Sequence, residues 1–186
     1  LVPISKTIIV AFVVLTMAAI AIRGVKESIL IAGVLTVIEV LGLLAIILSG
    51  FWQTPDLVAK IPTAFPSTTD TAAFSGIFLA SLVAFFAFIG FDDVVNMVEE
   101  TKDPKRTMPL AIIISLIAVT VIYFLVSFVA VQTLSQDELS GSDAPIALLF
   151  ERLTGLSPVS ITLIAIGATI NGVLIEIIMA SRVLYG

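Results

Sequence analysis

The sequence predicts an all-α integral membrane protein, and three observations predict it. Hydrophobic residues make up 59% of the 186-residue chain, charged residues only 12%, and the mean hydropathy is +1.21. Soluble domains are about half apolar and about a quarter charged, and a chain this short has too little interior to hide so much apolar surface. The apolar residues also fall in runs long enough to cross a bilayer core as helices, which takes roughly 20 residues each. Lipid offers no hydrogen bonds to an exposed backbone, so helices are the state these runs must take.

Five runs qualify, at about residues 5–22, 29–51, 72–98, 108–132 and 158–181. The turn Arg23-Gly24-Val25-Lys26-Glu27-Ser28 is expected to join the first two. Residues 52–71 carry Pro55, Pro62 and Pro66 and read as a loop. The charged run from Glu99 to Thr107 reads as a short connector, most simply solvated. Residues 134–157 form a longer polar segment holding an amphipathic stretch, Pro145 to Arg152. The whole of 1–186 reads as one transmembrane region. The chain starts at Leu1 without an initiator methionine, enters an apolar run almost at once and stops at Gly186 straight after another, so we expect part of a longer polypeptide.

Several chemistries are excluded at once. With no histidine and no cysteine, the chain lacks imidazole bases, thiol nucleophiles, disulfides and the usual ligands of zinc, copper and haem. A net charge of −5 does not suit nucleic acid. Cytoplasmic loops are enriched in Lys and Arg. Arg23, Lys26, Lys102, Lys105, Arg106 and Arg182 fall on one side, and Lys6, Lys60 and Arg152 on the other. Loops 23–28 and 99–107 are therefore expected in the cytoplasm, with 52–71 and 134–157 outside.

Function in such a protein concentrates where polar groups or irregular backbone occur inside the membrane. In the third run, Phe85-Phe86-Ala87-Phe88-Ile89-Gly90-Phe91-Asp92-Asp93 sets a glycine beside two acids in the middle of about 26 residues. Two readings are open. A discontinuous helix would end near Gly90 and restart with Asp92 or Asp93 as N-cap. It would leave the carbonyls of Phe86, Ala87 and Ile89 for an ammonium group, and a positive helix end for a carboxylate. The other reading is a continuous helix whose acids face a neighbour.

Glu39 lies near the centre of the second run, where an acid costs several kcal/mol unless paired, hydrated or protonated. At about 100° per residue, Ser28, Ala32, Thr36, Gly42 and Ser49 share its face, the kind of small-residue face that packs on other helices. Glu39 is a candidate cation or proton site, or a neutral acid bonded across helices. Glu176 repeats the pattern on the fifth run with Ala165, Ala168, Thr169, Gly172 and Ala180. Asn171 lies on roughly the opposite face and reads as a structural amide. Taken as residue types, Phe85, Phe86, Phe88 and Phe91 read as packing.

Phe86-Ala87-Phe88-Ile89-Gly90-Phe91-Asp92, followed by Glu99-Glu100-Thr101-Lys102-Asp103-Pro104-Lys105-Arg106-Thr107-Met108-Pro109, resembles a signature of the amino acid–polyamine–organocation permeases. That signature runs F-x-G-F-D, then E-E-x-x-N-P-x-R-x-x-P, across the sixth helix and the loop after it. Arg23 to Ser28, Leu35 to Glu39 and Ala180 to Tyr185 resemble further parts of the family, so the likeness covers helices four to eight of about twelve. It implies a partial LeuT-type bundle of two inverted five-helix repeats that moves its substrate by alternating access. It also implies substrate binding at Phe86, Ala87, Phe88, Ile89, Gly90 and Asp92, with Phe86 as an aromatic gate and Pro145 to Arg152 in the loop over the outer vestibule.

The implied function is secondary active transport of an amino acid or related amine across the plasma membrane, with no enzymatic chemistry, no metal and no cofactor beyond coupling to H⁺ or Na⁺. The implied partners are that substrate, the lipid bilayer and the rest of a permease, helices one to three and nine onward. Where several proton-coupled relatives have a lysine this chain has Glu39, so their coupling mechanism does not carry over; Asp103 stands where asparagine is common. The alternatives are a non-transporting anchor or subunit, a channel, and an intramembrane hydrolase. The hydrolase is poorly served without a histidine, and Asp92 and Asp93 are adjacent and point apart on a helix.

Overall fold

The computed structural model describes residues 5–22, 25–65, 70–90 and 93–185. Its α-helices are α1 (Lys6–Ile22), α2 (Val25–Gln53), α3 (Thr71–Phe85), α4 (Pro104–Thr133), α5 (Gln136–Gly141), α6 (Pro145–Thr154) and α7 (Val159–Tyr185). No strand occurs among the described residues. Among the described residues, four stretches are long and apolar enough to cross a membrane: Ser28–Gln53, Thr71–Phe88, Pro104–Thr133 and Val159–Leu184. Helix α1, with 17 residues, is apolar but shorter. It stands at the lower limit of about 17 residues for a spanning helix.

By their contacts the residues divide into two units, split within α2 between Ala45 and Ile46 and again between Ser142 and Asp143. In the first unit, α1 and α6 both pack on α7. The α1–α2 connector expected at residues 23–28 is helical from Val25 onward. Arg23 and Gly24 lie outside the described residues. Ser28 is fully buried inside α2, with its hydroxyl donating to the Ile20 carbonyl at 3.3 Å. That bond back to α1 explains why a polar residue expected in the connector belongs to the helix.

Gly42 of α2 meets α7. A methyl group added to Gly42 would come within 3.2 Å of Ile164 and 3.3 Å of Ile161. Ala32, Leu174 and Ile178 are buried in the same unit. Helix α6 starts with Pro145 at its first turn and ends at Gly155, whose φ of +66° lets its amide donate to the Glu151 carbonyl at 2.8 Å. Its apolar stripe, Leu149 and Leu153 one turn apart, is buried.

In the second unit the end of α2 meets α4. Gly50 lies so close that an added methyl would stand 2.5 and 2.9 Å from the two γ-carbons of Val129. The segment expected as a loop after α2 contains a 3₁₀ helix, Pro55–Ala64, which packs on α4 and buries Leu57 completely. Helix α4 begins earlier than its apolar run. Asp103 takes the left-handed conformation at φ +50°, and Pro104 follows at a position where its missing N–H costs nothing. Asn and Asp tolerate that backbone better than other side chains, a physical reason why asparagine and aspartate both suit the site. Helix α5 is closed by a capping box: the Ser135 hydroxyl accepts from the Glu138 amide, and the Glu138 carboxylate accepts from the Ser135 amide at 2.8 Å.

Candidate functional site

Asp70 starts α3 by accepting the Ala73 amide at 2.9 Å. The α-helical ladder then ends at Phe85, after 15 residues. That is about 22 Å of rise, short of a hydrocarbon core of about 30 Å. The chain tightens into a 3₁₀ turn, Phe86–Phe88, and Ile89 turns to extended backbone (φ −64°, ψ 137°). Gly90 follows at φ +116°. Among the described residues, an added methyl there would meet only an Asp93 carboxylate oxygen, at 3.7 Å. Glycine is therefore required by the torsion and not by crowding. The third helix is discontinuous.

The far side of the break differs from expectation. Residues 93 and 94 form a turn, and the chain continues as a 3₁₀ helix, Val95–Glu100, with Val94 at its N-cap and no side-chain cap. The capping role expected of Asp93 falls on Val94; Phe91 and Asp92 lie outside the described residues. Val94, Val95 and Val98 are stiff, β-branched residues that weaken an α-helix. The Thr101 amide closes the turn on the Val98 carbonyl at 3.2 Å.

The backbone groups at the break are partly engaged. The Ile89 amide donates to the Phe86 carbonyl at 3.4 Å, and the Asp93 amide to the Gly90 carbonyl at 3.3 Å. The Ala87 carbonyl accepts from the Tyr123 hydroxyl of α4 at 3.2 Å. The rings of Phe88 and Tyr123 meet edge to face, 5.5 Å apart. Phe86 is 70% exposed, with its ring at 6.3 Å from that of Phe85. Residue types did not single out Tyr123. The signal was there, a phenol two-thirds of the way along an apolar run, because such a hydroxyl needs an acceptor in lipid.

Glu39 and Glu176 lie in the first unit. Glu39 is the fifteenth of the 29 residues of α2, and Asn171 the thirteenth of the 27 of α7. The Asn171 amide nitrogen donates to Glu39 Oε1 at 3.2 Å and to Thr36 Oγ1 at 3.1 Å. Asn171 is 3% exposed, and its Oδ1 has no hydrogen-bond partner among the described residues. Glu39 thus faces protein, on the face it shares with Thr36. Glu176 is exposed, as are Ala165, Thr169, Gly172 and Ala180 on its face.

Apolar helices of spanning length, one of them interrupted, define a multi-pass membrane protein. The chain belongs to the amino acid permease family, whose model matches residues 3–186. It is 31% identical over 182 residues, 96% of its length, to the branched-chain amino acid permease BcaP of Lactococcus lactis. It is also 36% identical over 125 residues, 65% of its length, to the mitochondrial cationic amino acid transporter 3 of Arabidopsis thaliana. Over 78 residues, 42% of its length, it is 40% identical to the branched-chain amino acid permease BcaP of Bacillus subtilis. The aligned part spans 39%, 20% and 17% of those relatives respectively. No solved structure matches the chain significantly.

Proposed function

We propose that this chain is the part of a secondary active amino acid transporter that carries one wall of the substrate site, working by alternating access in a LeuT-type bundle. The observation that carries the reading is the interrupted backbone at Ile89–Gly90 inside an apolar run, with Gly90 at φ +116°. Irregular backbone inside a membrane is tolerated where it lines a cavity or is buried in protein, and it offers amide and carbonyl groups that an unbroken helix keeps to itself. The backbone of Phe86, Ala87, Phe88, Ile89 and Gly90 would hold the ammonium and carboxylate of an amino acid or related amine. Phe86, largely exposed, would cover it. A non-transporting anchor or subunit would predict a continuous third helix, which the interruption at Gly90 disfavours.

Glu39 is the group we assign to coupling, holding a proton or a cation in one state of the cycle. Its support is its place at the centre of α2 and its bond to the buried Asn171 amide. Glu176, exposed on α7 beside small residues, is the group we assign to preference for cationic substrates. The excess of Lys and Arg supports cytoplasmic placement of the connectors near residues 23–28 and 99–107 in a plasma membrane. The relatives' names cover cationic and branched-chain amino acids, and both belong in the test panel.

The test is uptake by the complete polypeptide in proteoliposomes, with a panel of amino acids and amines. Transport of at least one above empty liposomes is expected; none transported would refute the reading. In the same assay, Glu39→Gln is expected to alter the pH or sodium dependence of uptake. Unchanged dependence on both would remove the coupling role. Unaltered selectivity between lysine-like and neutral substrates in Glu176→Gln would count against that assignment.

A further inference from the structure

We propose that Tyr123 is a positioning residue for the substrate segment: its hydroxyl holds the α3 break in place and aligns the Ala87 carbonyl. The inference rests on the reading of this segment as the substrate site. A continuous α-helix would give the Ala87 carbonyl the amide four residues further on. The ladder stops at Phe85, and the hydroxyl of Tyr123 donates to that carbonyl instead, at 3.2 Å. Among the described residues, no other side chain donates to the backbone of Phe86, Ala87, Phe88 or Ile89.

A second contact points the same way. The Tyr123 ring meets the Phe88 ring edge to face, with centroids 5.5 Å apart and planes at 68°, the geometry aromatic pairs prefer. One polar and one apolar contact, from a helix 36 residues away in sequence, therefore pin two successive residues of the turn. Each polar partner also solves the other's problem. A phenol and a freed carbonyl both need a hydrogen bond away from water, and here each supplies it. A carbonyl oxygen has two lone pairs. With one taken by the phenol, the other stays available to an ammonium group, at an orientation the phenol fixes.

The experiment uses the complete permease, as wild type, Tyr123→Phe and Tyr123→Leu. The phenylalanine keeps the ring contact and loses only the donor; the leucine loses both. Two readouts are taken: hydrogen exchange of a peptide spanning residues 85–95 in substrate-free protein, and KM and maximal rate of uptake. Tyr123→Phe is expected to speed exchange and to raise KM, each by roughly three- to tenfold. The maximal rate should stay within about twofold, and Tyr123→Leu should exceed Tyr123→Phe in both effects. A merely structural tyrosine would lower the amount of folded transporter without that split. Unchanged exchange in Tyr123→Phe overturns the proposal, and so does a fall in KM, which would make the hydroxyl a competitor of the substrate. A wild type that takes up nothing would sink the substrate reading instead, and the exchange result alone would then decide whether the latch exists.

Discussion

Replacing Gly90 tests the interrupted helix more directly than any other change. Its φ of +116° lies outside the regions open to other residues, and among the described residues the nearest atom to an added methyl is 3.7 Å away. The penalty for Gly90→Ala is therefore torsional, about 1–3 kcal/mol. The competing state, a helix continued through residue 90, gains about 1 kcal/mol because alanine favours helix over glycine. The two add to about 2–4 kcal/mol against the break, roughly a 30- to 1000-fold shift in its population. Gly90→Val should be worse, since a β-branched residue at positive φ is a true outlier. The assay is uptake by the complete permease in proteoliposomes, with KM and maximal rate measured for each variant. Gly76→Ala is the control. Gly76 lies inside α3 with open space around it, so its replacement should leave uptake unchanged. Wild-type KM and rate in Gly90→Ala would refute the claim that this torsion shapes the site.

Two further outcomes concern packing and the polar cluster. Gly50→Ala should destabilise the protein by about 1–3 kcal/mol through overpacking, because the fully buried Val129 stands 2.5 Å from the new methyl. Val129→Ala in the same chain should return part of the loss, and thermal melts in detergent that show simple additivity would contradict the contact. Asn171→Ala and Glu39→Ala, each of which removes one partner of the bond, should be coupled by about 0.6 kcal/mol, up to about 1.7, the range for hydrogen bonds between membrane helices. A double-mutant cycle on unfolding measures it, and independent effects would mean the bond does not hold these helices together.

Residue types made much of this architecture legible because the bilayer is so restrictive a solvent. Runs such as Leu110 to Val131 have one permitted backbone state, and helix follows from composition. The face around Glu39 was legible by the same regularity. Ser28 and Ala32 are buried, Gly42 lies against Ile161 and Ile164, and Thr36 shares the Asn171 amide with Glu39. The interruption was legible too, as a glycine beside acids in an apolar stretch, although the residues alone left a continuous helix open. What lay beyond reach involved distance along the chain. Asn171 read as a structural amide, but its partner was 132 residues away. Tyr123 had no visible role, because a phenol's need for an acceptor does not say which carbonyl will supply it.

Periodicity and hydropathy, which act over a few residues, thus determined the class of protein, its helical runs and the small-residue face of α2, while a glycine beside acids marked where a break could fall. Tertiary structure alone decided how the break is finished. The Phe86 carbonyl is taken by Ile89, the Ala87 carbonyl by Tyr123, and the second half is a 3₁₀ helix begun at Val94. The reason is physical: a helix ladder satisfies its own hydrogen bonds and can be read locally, whereas groups released from it must find partners that only the packed chain brings near.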